Sequence, residues 1–363
     1  MLYALFYPLR EIWFGFNVFR YITFRAMMAS ITAFLLTLLI GPVVVRWLTS
    51  LKVGQKIRQK SEVGKLYDLH SHKAGTPTMG GLLILFALLG STFLWADVSN
   101  PYVLMAAAVT GFMGLVGFLD DWAKIRQKSA RGLSVRSRLM WQSLIALAFG
   151  LALFWDRSFP DWLEVPFFKN PVAGMGIWMV PFIVFVLVGT SNAVNLADGL
   201  DGLAIGSTAM IALCLTLMCY LTGHRILADY LYISHIPDSG ELTVFCAALV
   251  GASMGFLWYN SQPAAVFMGD TGSLALGGAI GAVSVLIKKE LLLVLLGGIF
   301  VAEALSVIVQ VASFRMTGRR VFLMAPIHHH FQMKGWAESK VTIRFWILGA
   351  ILALMSLGTL KLR

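Results

Sequence analysis

Two adjacent carboxylates, Asp120 and Asp121, close an apolar run in Gly117-Phe118-Leu119-Asp120-Asp121-Trp122. The run is about 20 residues long, enough to cross a bilayer. Side by side the two acids repel. At the end of a helix they also meet the negative pole of its dipole, which disfavours anions. The only local offset is Lys124, one turn on from Asp120. Carboxylates so placed have a use if they hold a cation, and hard oxygen donors at a phosphate-handling surface suit Mg²⁺. The pair alone also fits a plainer reading, two aspartates facing water at a helix end.

Other polar clusters offer related chemistry. Asn192, Asn195, Asp198 and Asp201 fall within ten residues (NAVNLADGLD), with Gly199, Leu200 and Gly202 between and after them. Glycine and asparagine let the backbone approach a ligand closely, and the aspartates can accept from ribose or base donors. Turn chemistry, with Asp201 capping the next helix, is the competing account. Asp270 opens another apolar run in Gly269-Asp270-Thr271-Gly272-Ser273. It is either an ordinary N-cap or the holder of a metal that bridges phosphate to a helix N-terminus. Phe267 is placed to stack on a base or simply to pack. His328, His329 and His330 are consecutive, so they cannot all face one metal from a helix, and no further ligand lies at zinc spacing. Beside Arg319, Arg320 and Lys334 they suit a polyanion, a proton relay or a solvated loop. Glu303, in the middle of an apolar run, has either a function or a buried partner such as Ser306.

The elements that must position these residues are membrane helices. The chain is 58% hydrophobic and 13% charged, with a mean hydropathy of +0.78, where soluble domains carry about 25% charged residues. This composition predicts one all-α, polytopic bundle over residues 1–363 rather than two soluble domains. Residues 1–22 read as an interfacial amphipathic helix, with Arg10 and Glu11 interrupting the first apolar residues, so no secretory signal is expected. Ten spans follow: 24–46, 79–96, 101–119, 138–155, 174–192, 203–222, 242–259, 271–287, 291–314 and 344–360. Cys214, Cys219 and Cys246 lie inside apolar runs and read as small buried hydrophobes.

Charge then orients the bundle. Alternate loops, near 47–78, 120–137, 193–202, 260–270 and 315–343, face the same side, and three of them, counted with Arg46, Arg138 and Arg344 at their edges, hold 19 of the 29 Lys and Arg residues. The positive-inside rule makes that side cytoplasmic and both termini periplasmic. The net charge of +11 therefore points to anionic lipid and anionic substrates rather than to nucleic acid. Lys73 through Gly81 (KAGTPTMGG), the paired aspartates, the Asn/Asp loop, Asn260 through Ser273 and the histidines all fall on this one side. An anionic-lipid transporter would carry motifs at both faces; an enzyme working at one face would not.

GFLDDWAKI, VGTSNAVNLADGLDGLA, VFMGDTGSLALGG and MAPIHHHFQMKGW together resemble the signatures of the phospho-N-acetylmuramoyl-pentapeptide-transferase (MraY) family. The resemblance covers nearly the whole chain. The aspartate motifs are shared by the wider polyprenyl-phosphate N-acetylhexosamine-1-phosphate transferases, and the triple histidine points to this member. The resemblance implies transfer of phospho-N-acetylmuramoyl-pentapeptide from UDP to undecaprenyl phosphate, giving lipid I and UMP, the first membrane step of peptidoglycan synthesis. It implies Mg²⁺, a bacterial inner membrane, a cytoplasm-facing site and a homodimer. It assigns Asp120, Asp121 and Asp270 to catalysis and the metal. It assigns Lys73, Lys124, Asn192, Asn195, Asp198, Gly199, Leu200, Asp201, Asn260, Phe267, His328, His329 and His330 to substrate binding. Arg131 departs from the Lys found in many members before Gly-Leu, a planar fork in place of a point charge. Transfer of N-acetylglucosamine-1-phosphate is the nearest alternative. Direct displacement and a covalent aspartyl intermediate both remain compatible with the sequence.

Overall fold

The computed structural model describes residues 1–50, 73, 75–127, 132–168 and 174–361, and every regular element among them is helical. Ten long helices organise the chain: α1 (Ile22–Ser50), α2 (Gly81–Trp95), α3 (Pro101–Arg126), α4 (Val135–Trp155), α5 (Met179–Ala197), α6 (Leu203–Gly223), α7 (Leu242–Asn260), α8 (Gly269–Leu286), α9 (Gly298–Thr317) and α10 (Glu338–Gly358). All but α2 are long and apolar enough to cross a membrane. With 15 residues, α2 is about 22 Å long against a hydrocarbon layer of about 30 Å. The polytopic all-α bundle expected from composition is what the chain forms.

Helix α8 is the axis of the bundle. Every residue from Thr271 to Leu286 is buried, and α2, α3, α5 and α6 pack around it. Its sequence, GDTGSLALGGAIGAVSVL, is mostly small residues. In a membrane, small side chains let helix backbones approach and gain dispersion contacts that apolar bulk alone does not supply. The contact is closest at the first turn. A Cβ on Gly117 of α3 would stand 2.1 Å from the Asp270 carbonyl oxygen, and one on Gly81 of α2 would stand 2.1 Å from the Gly272 nitrogen. These backbone contacts bring Asp120 and Asp121 against Asp270, 149 residues away in sequence for the Asp121 pairing.

Local signals explain where several helices begin. Pro101 occupies the first turn of α3, and the Asn100 side chain accepts from the amides of Tyr102 and Val103. Ser134 caps α4 by accepting from the Ser137 amide. Besides shifts of a few residues at other ends, three differences from the sequence reading stand out. Helix α3 does not stop at residue 119 but runs to Arg126, with Lys124 and Arg126 in its last turn offsetting the dipole; the paired aspartates therefore lie inside the helix. Residues 1–22 are not one amphipathic helix but short turns, Leu2–Phe6, Tyr7–Glu11 and Phe14–Arg20. They break at Pro8 and at the extended Trp13, and are held by stacking of Phe6 on Phe16 and Phe19 and of Phe19 on Trp95. The span at 291–314 divides at Gly297 into Leu292–Leu296 and α9.

Met1 and Lys361, the first and last described residues, lie at one end of the bundle. The Met1 ammonium donates to the carbonyls of Phe93 and Ala96 at the end of α2, and Lys361 Nζ donates to the Tyr230 carbonyl. The same end carries a buried charge cluster in which Lys289 pairs with Glu164 and Lys288 lies 3.2 Å from Glu290. The motif residues are at the opposite end.

Candidate active site

Three carboxylates converge where the end of α3 meets the start of α8. Oxygens of Asp120, Asp121 and Asp270 lie within 4.8 Å of one another, with Asp120 and Asp121 buried. Asp121 is tied into the fold. Its Oδ2 accepts from the Thr271 amide (2.9 Å) and hydroxyl (2.8 Å), and its Oδ1 from the Asp270 amide (3.3 Å). It thus caps α8 from another helix and satisfies amides that the first turn leaves open. Asp270, read from sequence as a possible cap of its own helix, is itself capped and projects its carboxylate into the cluster. Asp120 Oδ1 accepts from the Leu133 amide at 2.8 Å.

Lys124 sits among all three acids: its ammonium is 2.6 Å from Asp120 Oδ2, 3.5 Å from Asp121 Oδ1 and 2.5 Å from Asp270 Oδ2. Asn195, on the last turns of α5, donates to Asp270 Oδ1 (2.6 Å) and Ser273 Oγ (2.8 Å). Arg138 of α4 stands 3.5 Å from Asp270 Oδ2. Three acids against Lys124 and the more distant Arg138 leave the cluster net negative. All-oxygen, carboxylate-rich donors with net negative charge fit a hard divalent cation such as Mg²⁺.

A second cluster lies around the 198–202 turn. Lys73 Nζ is 2.7 Å from Asp201 Oδ1 and also bonds Glu338 Oε1, all three residues being buried. Glu338 accepts the Asp201 amide as well (2.8 Å), and Asp201 Oδ2 accepts the Ala264 amide (3.0 Å). The Phe267 ring centroid is 5.8 Å from Lys73 Nζ, and the Phe267 backbone pairs with Pro77 and Gly80. Asn260 braces two loops, accepting from the Gly202 amide and donating to the Val266 carbonyl. Gly202 has φ +75°, which its lack of a side chain permits. Leu200 packs in an apolar cluster with Leu203, Ile299, Val341 and Phe345.

The three histidines point three ways from the short helix Ile327–Met333. His328 is wholly buried, its Nδ1 3.0 Å from Glu303 Oε2, and its Nε2 abuts Gly199, where a Cβ would lie 2.3 Å away. Ser306 donates to the Glu303 carbonyl rather than to its carboxylate. His329 contacts Gln332. His330 Nδ1 accepts from the Leu323 amide (3.1 Å). Burial, with help from Lys334, holds the His330 imidazole below its ordinary pKa and favours that neutral acceptor form.

Asp198 lies between the first two clusters. Its carboxyl is pushed well above the usual range, first by burial and then by the charges of Asp270, Asp121 and Asp201, with Lys73 opposing. Asn192, by contrast, turns away from the acids and donates to Gln142 (2.7 Å) and the Val188 carbonyl (2.8 Å). Sequence reasoning missed Glu338, Gln142 and Thr271 and gave Arg138 no role. Glu338 carried a signal: it is the one acid between Arg315 and Lys340, at the start of an apolar run. Arg131 lies outside the described residues.

The arrangement can hold a divalent cation beside anionic oxygens, with a neighbouring cationic pocket for a second polar group. Comparison with known proteins agrees. The family model described as glycosyl transferase family 4 matches residues 102–288, and a phospho-N-acetylmuramoyl-pentapeptide-transferase signature matches residues 73–85. Relatives named phospho-N-acetylmuramoyl-pentapeptide-transferase, from Citrifermentans bemidjiense, Geobacter sp. (strain M21) and Oleidesulfovibrio alaskensis, are each 51% identical over the whole of both chains.

Proposed function

Because this chain belongs to glycosyl transferase family 4 and, within it, to the phospho-N-acetylmuramoyl-pentapeptide-transferases, we propose that its three-carboxylate site carries out that transfer. The donor is UDP-N-acetylmuramoyl-pentapeptide, the acceptor is undecaprenyl phosphate, and the products are lipid I and UMP. An oxygen of the acceptor phosphate bonds to the sugar-bearing phosphorus while the pyrophosphate link to UMP breaks. The convergence of Asp120, Asp121 and Asp270 around Lys124 carries the reading.

Asp120 and Asp270 would hold Mg²⁺, with Asp121 fixing the first turn of α8 beneath it. The cation would neutralise charge on the pyrophosphate and on departing UMP. The chain's own groups supply position. Asn195 orients Asp270. Lys124 is the cation best placed to follow phosphate charge as it shifts. The Lys73–Asp201 pair beside Phe267 offers a donor, an acceptor and a ring face to the nucleotide. Holding two reactants in line accounts for much of such a rate enhancement. A phosphate monoester has its second pKa near 6, so at neutral pH the acceptor is mostly a dianion and needs little help from a base.

The charge asymmetry supports a multi-pass protein of the bacterial inner membrane with this site facing the cytoplasm; the family resemblance adds a homodimer. The test is purified protein given Mg²⁺, undecaprenyl phosphate and equal UDP-N-acetylmuramoyl-pentapeptide and UDP-N-acetylglucosamine, with lipid products resolved by mass. The expected product is lipid I. Transfer of N-acetylglucosamine phosphate would overturn the donor, and absence of UMP release would overturn the reaction class. Asp270→Asn should lose most activity and raise the Mg²⁺ needed by what remains.

A further inference from the structure

Three basic side chains meet acids in the two clusters, and they differ in what they have left to give. The Lys124 ammonium meets three carboxylates, and Lys73 meets two. Among the described residues Arg138 makes one contact, at the outer limit of hydrogen bonding, Nη1 to Asp270 Oδ2 at 3.5 Å. Its Nε is buried with no partner among the described residues. Guanidinium groups seldom stay so poorly satisfied, since buried donors are nearly always paired. One turn further along α4, Gln142 is wholly buried; its Oε1 accepts from Asn192 while its Nε2 is also unpartnered. Residues four apart share a helix face. Two open donors therefore line one stripe of α4, starting beside Asp270 and leading into membrane depth.

The surroundings identify what these donors fit. A guanidinium fork matches phosphate oxygens better than any other common side chain. Leu139 and Trp141, which flank this stripe on either side, and Met140 and Leu144 beyond them are exposed, an apolar surface fit for a hydrocarbon chain. The Lys73–Asp201–Phe267 cluster is elsewhere, around the 198–202 turn. A ligand at Arg138 thus has its phosphate beside Asp270 and its tail along lipid.

We propose that Arg138 binds the phosphate of the membrane-borne polyprenyl phosphate acceptor, with Gln142 as a supporting donor one turn deeper. This rests on the transferase reading above. Arg138 would then leave its weak contact with Asp270 and aim the acceptor phosphate at the donor.

The experiment is steady-state UMP release by the full chain in detergent, varying a short-chain polyprenyl phosphate and the UDP-linked donor in turn. For Arg138→Gln the acceptor KM should rise on the order of tenfold or more, as expected for losing a charge-assisted phosphate contact, while the donor KM changes less than about twofold. Arg138→Lys, which keeps the charge and loses the fork, should fall between. A second readout needs no turnover: polyprenyl phosphate should raise the melting temperature of wild type but not of Arg138→Gln, and the UDP-linked donor should stabilise both. A rise in donor KM alone would move Arg138 to the donor pyrophosphate and overturn the proposal. Unchanged KM values in Arg138→Lys would also overturn it, and that variant decides the matter if Arg138→Gln does not fold. Absence of UMP release by wild type would instead remove the transferase reading itself.

Discussion

Gly117→Ala tests whether backbone contact between α3 and α8 sets the catalytic geometry. The substitution leaves every polar side chain in place. Its new Cβ would lie 2.1 Å from the Asp270 carbonyl oxygen and 2.5 Å from the carbonyl carbon, where real Cβ contacts essentially never fall under 3.0 Å. The two helices must separate by about 1 Å, since neither neighbour is a flexible side-chain tip. That displacement moves Asp270 relative to Asp120 and Asp121 and stretches the three bonds by which Asp121 caps α8. Overpacking of this kind costs about 1–3 kcal/mol of stability, which a bundle of ten helices should survive. A misplacement of about 1 Å at reacting groups can lower rate on the order of 100-fold. The expected result is a folded protein whose UMP release falls by about that factor, with KM values for both substrates less affected than kcat. Activity within threefold of wild type would refute the claim that this contact positions the acids.

Other expectations follow from the neighbouring groups. Glu338→Gln keeps an acceptor for the Asp201 amide but removes one of two charges on Lys73; the donor KM should rise about tenfold, roughly 1.4 kcal/mol, and an unchanged donor KM would separate this cluster from nucleotide binding. Asp198 has its pKa raised by folding, so the folded state holds the proton more tightly than the unfolded state, and stability falls as pH rises from the unfolded value through the folded one. Asp198→Asn should therefore raise the melting temperature at pH 8, with the gain shrinking as pH falls; a gain that grows toward acid would contradict the assignment. The orientation is open to labelling because Cys214, Cys219 and Cys246 are all buried: in intact cells an impermeant thiol reagent should reach Asp161→Cys but not Gln127→Cys.

Much of the site was legible because its chemistry is written in local runs. Asp120-Asp121 at the end of an apolar stretch and Asp270 in a glycine-rich one stand out wherever the helices go. The long spans were legible for the same reason, since apolar length alone predicts a crossing. What the sequence did not reveal depends on distant partners. Asp121 reads in sequence as the equal of Asp120, and its carboxylate does join the cluster, but the three hydrogen bonds it accepts from the first turn of α8 could not be foreseen. Glu303 looked for a hydroxyl such as Ser306 and found His328 on another segment. Glu338 joins Lys73 across 265 residues, a pairing no spacing rule reaches. The N-terminal 22 residues misled because helical periodicity survives in a chain folded into separate turns and held by aromatic stacking.

The position of α8 bears on how the protein is made. It is the least apolar of the nine candidate spans, with a mean hydropathy of 1.2, and the most enclosed, with 89% of its window buried. A segment so rich in glycine and led by an aspartate gains little from lipid alone. Its partners α2, α3, α5 and α6 all precede it in the chain. By the time α8 leaves the ribosome, the wall that will surround it has already been synthesised. Insertion of the helix bearing Asp270 is in this sense templated by helices already in the bilayer, and moving its coding segment ahead of theirs should strand it outside the membrane.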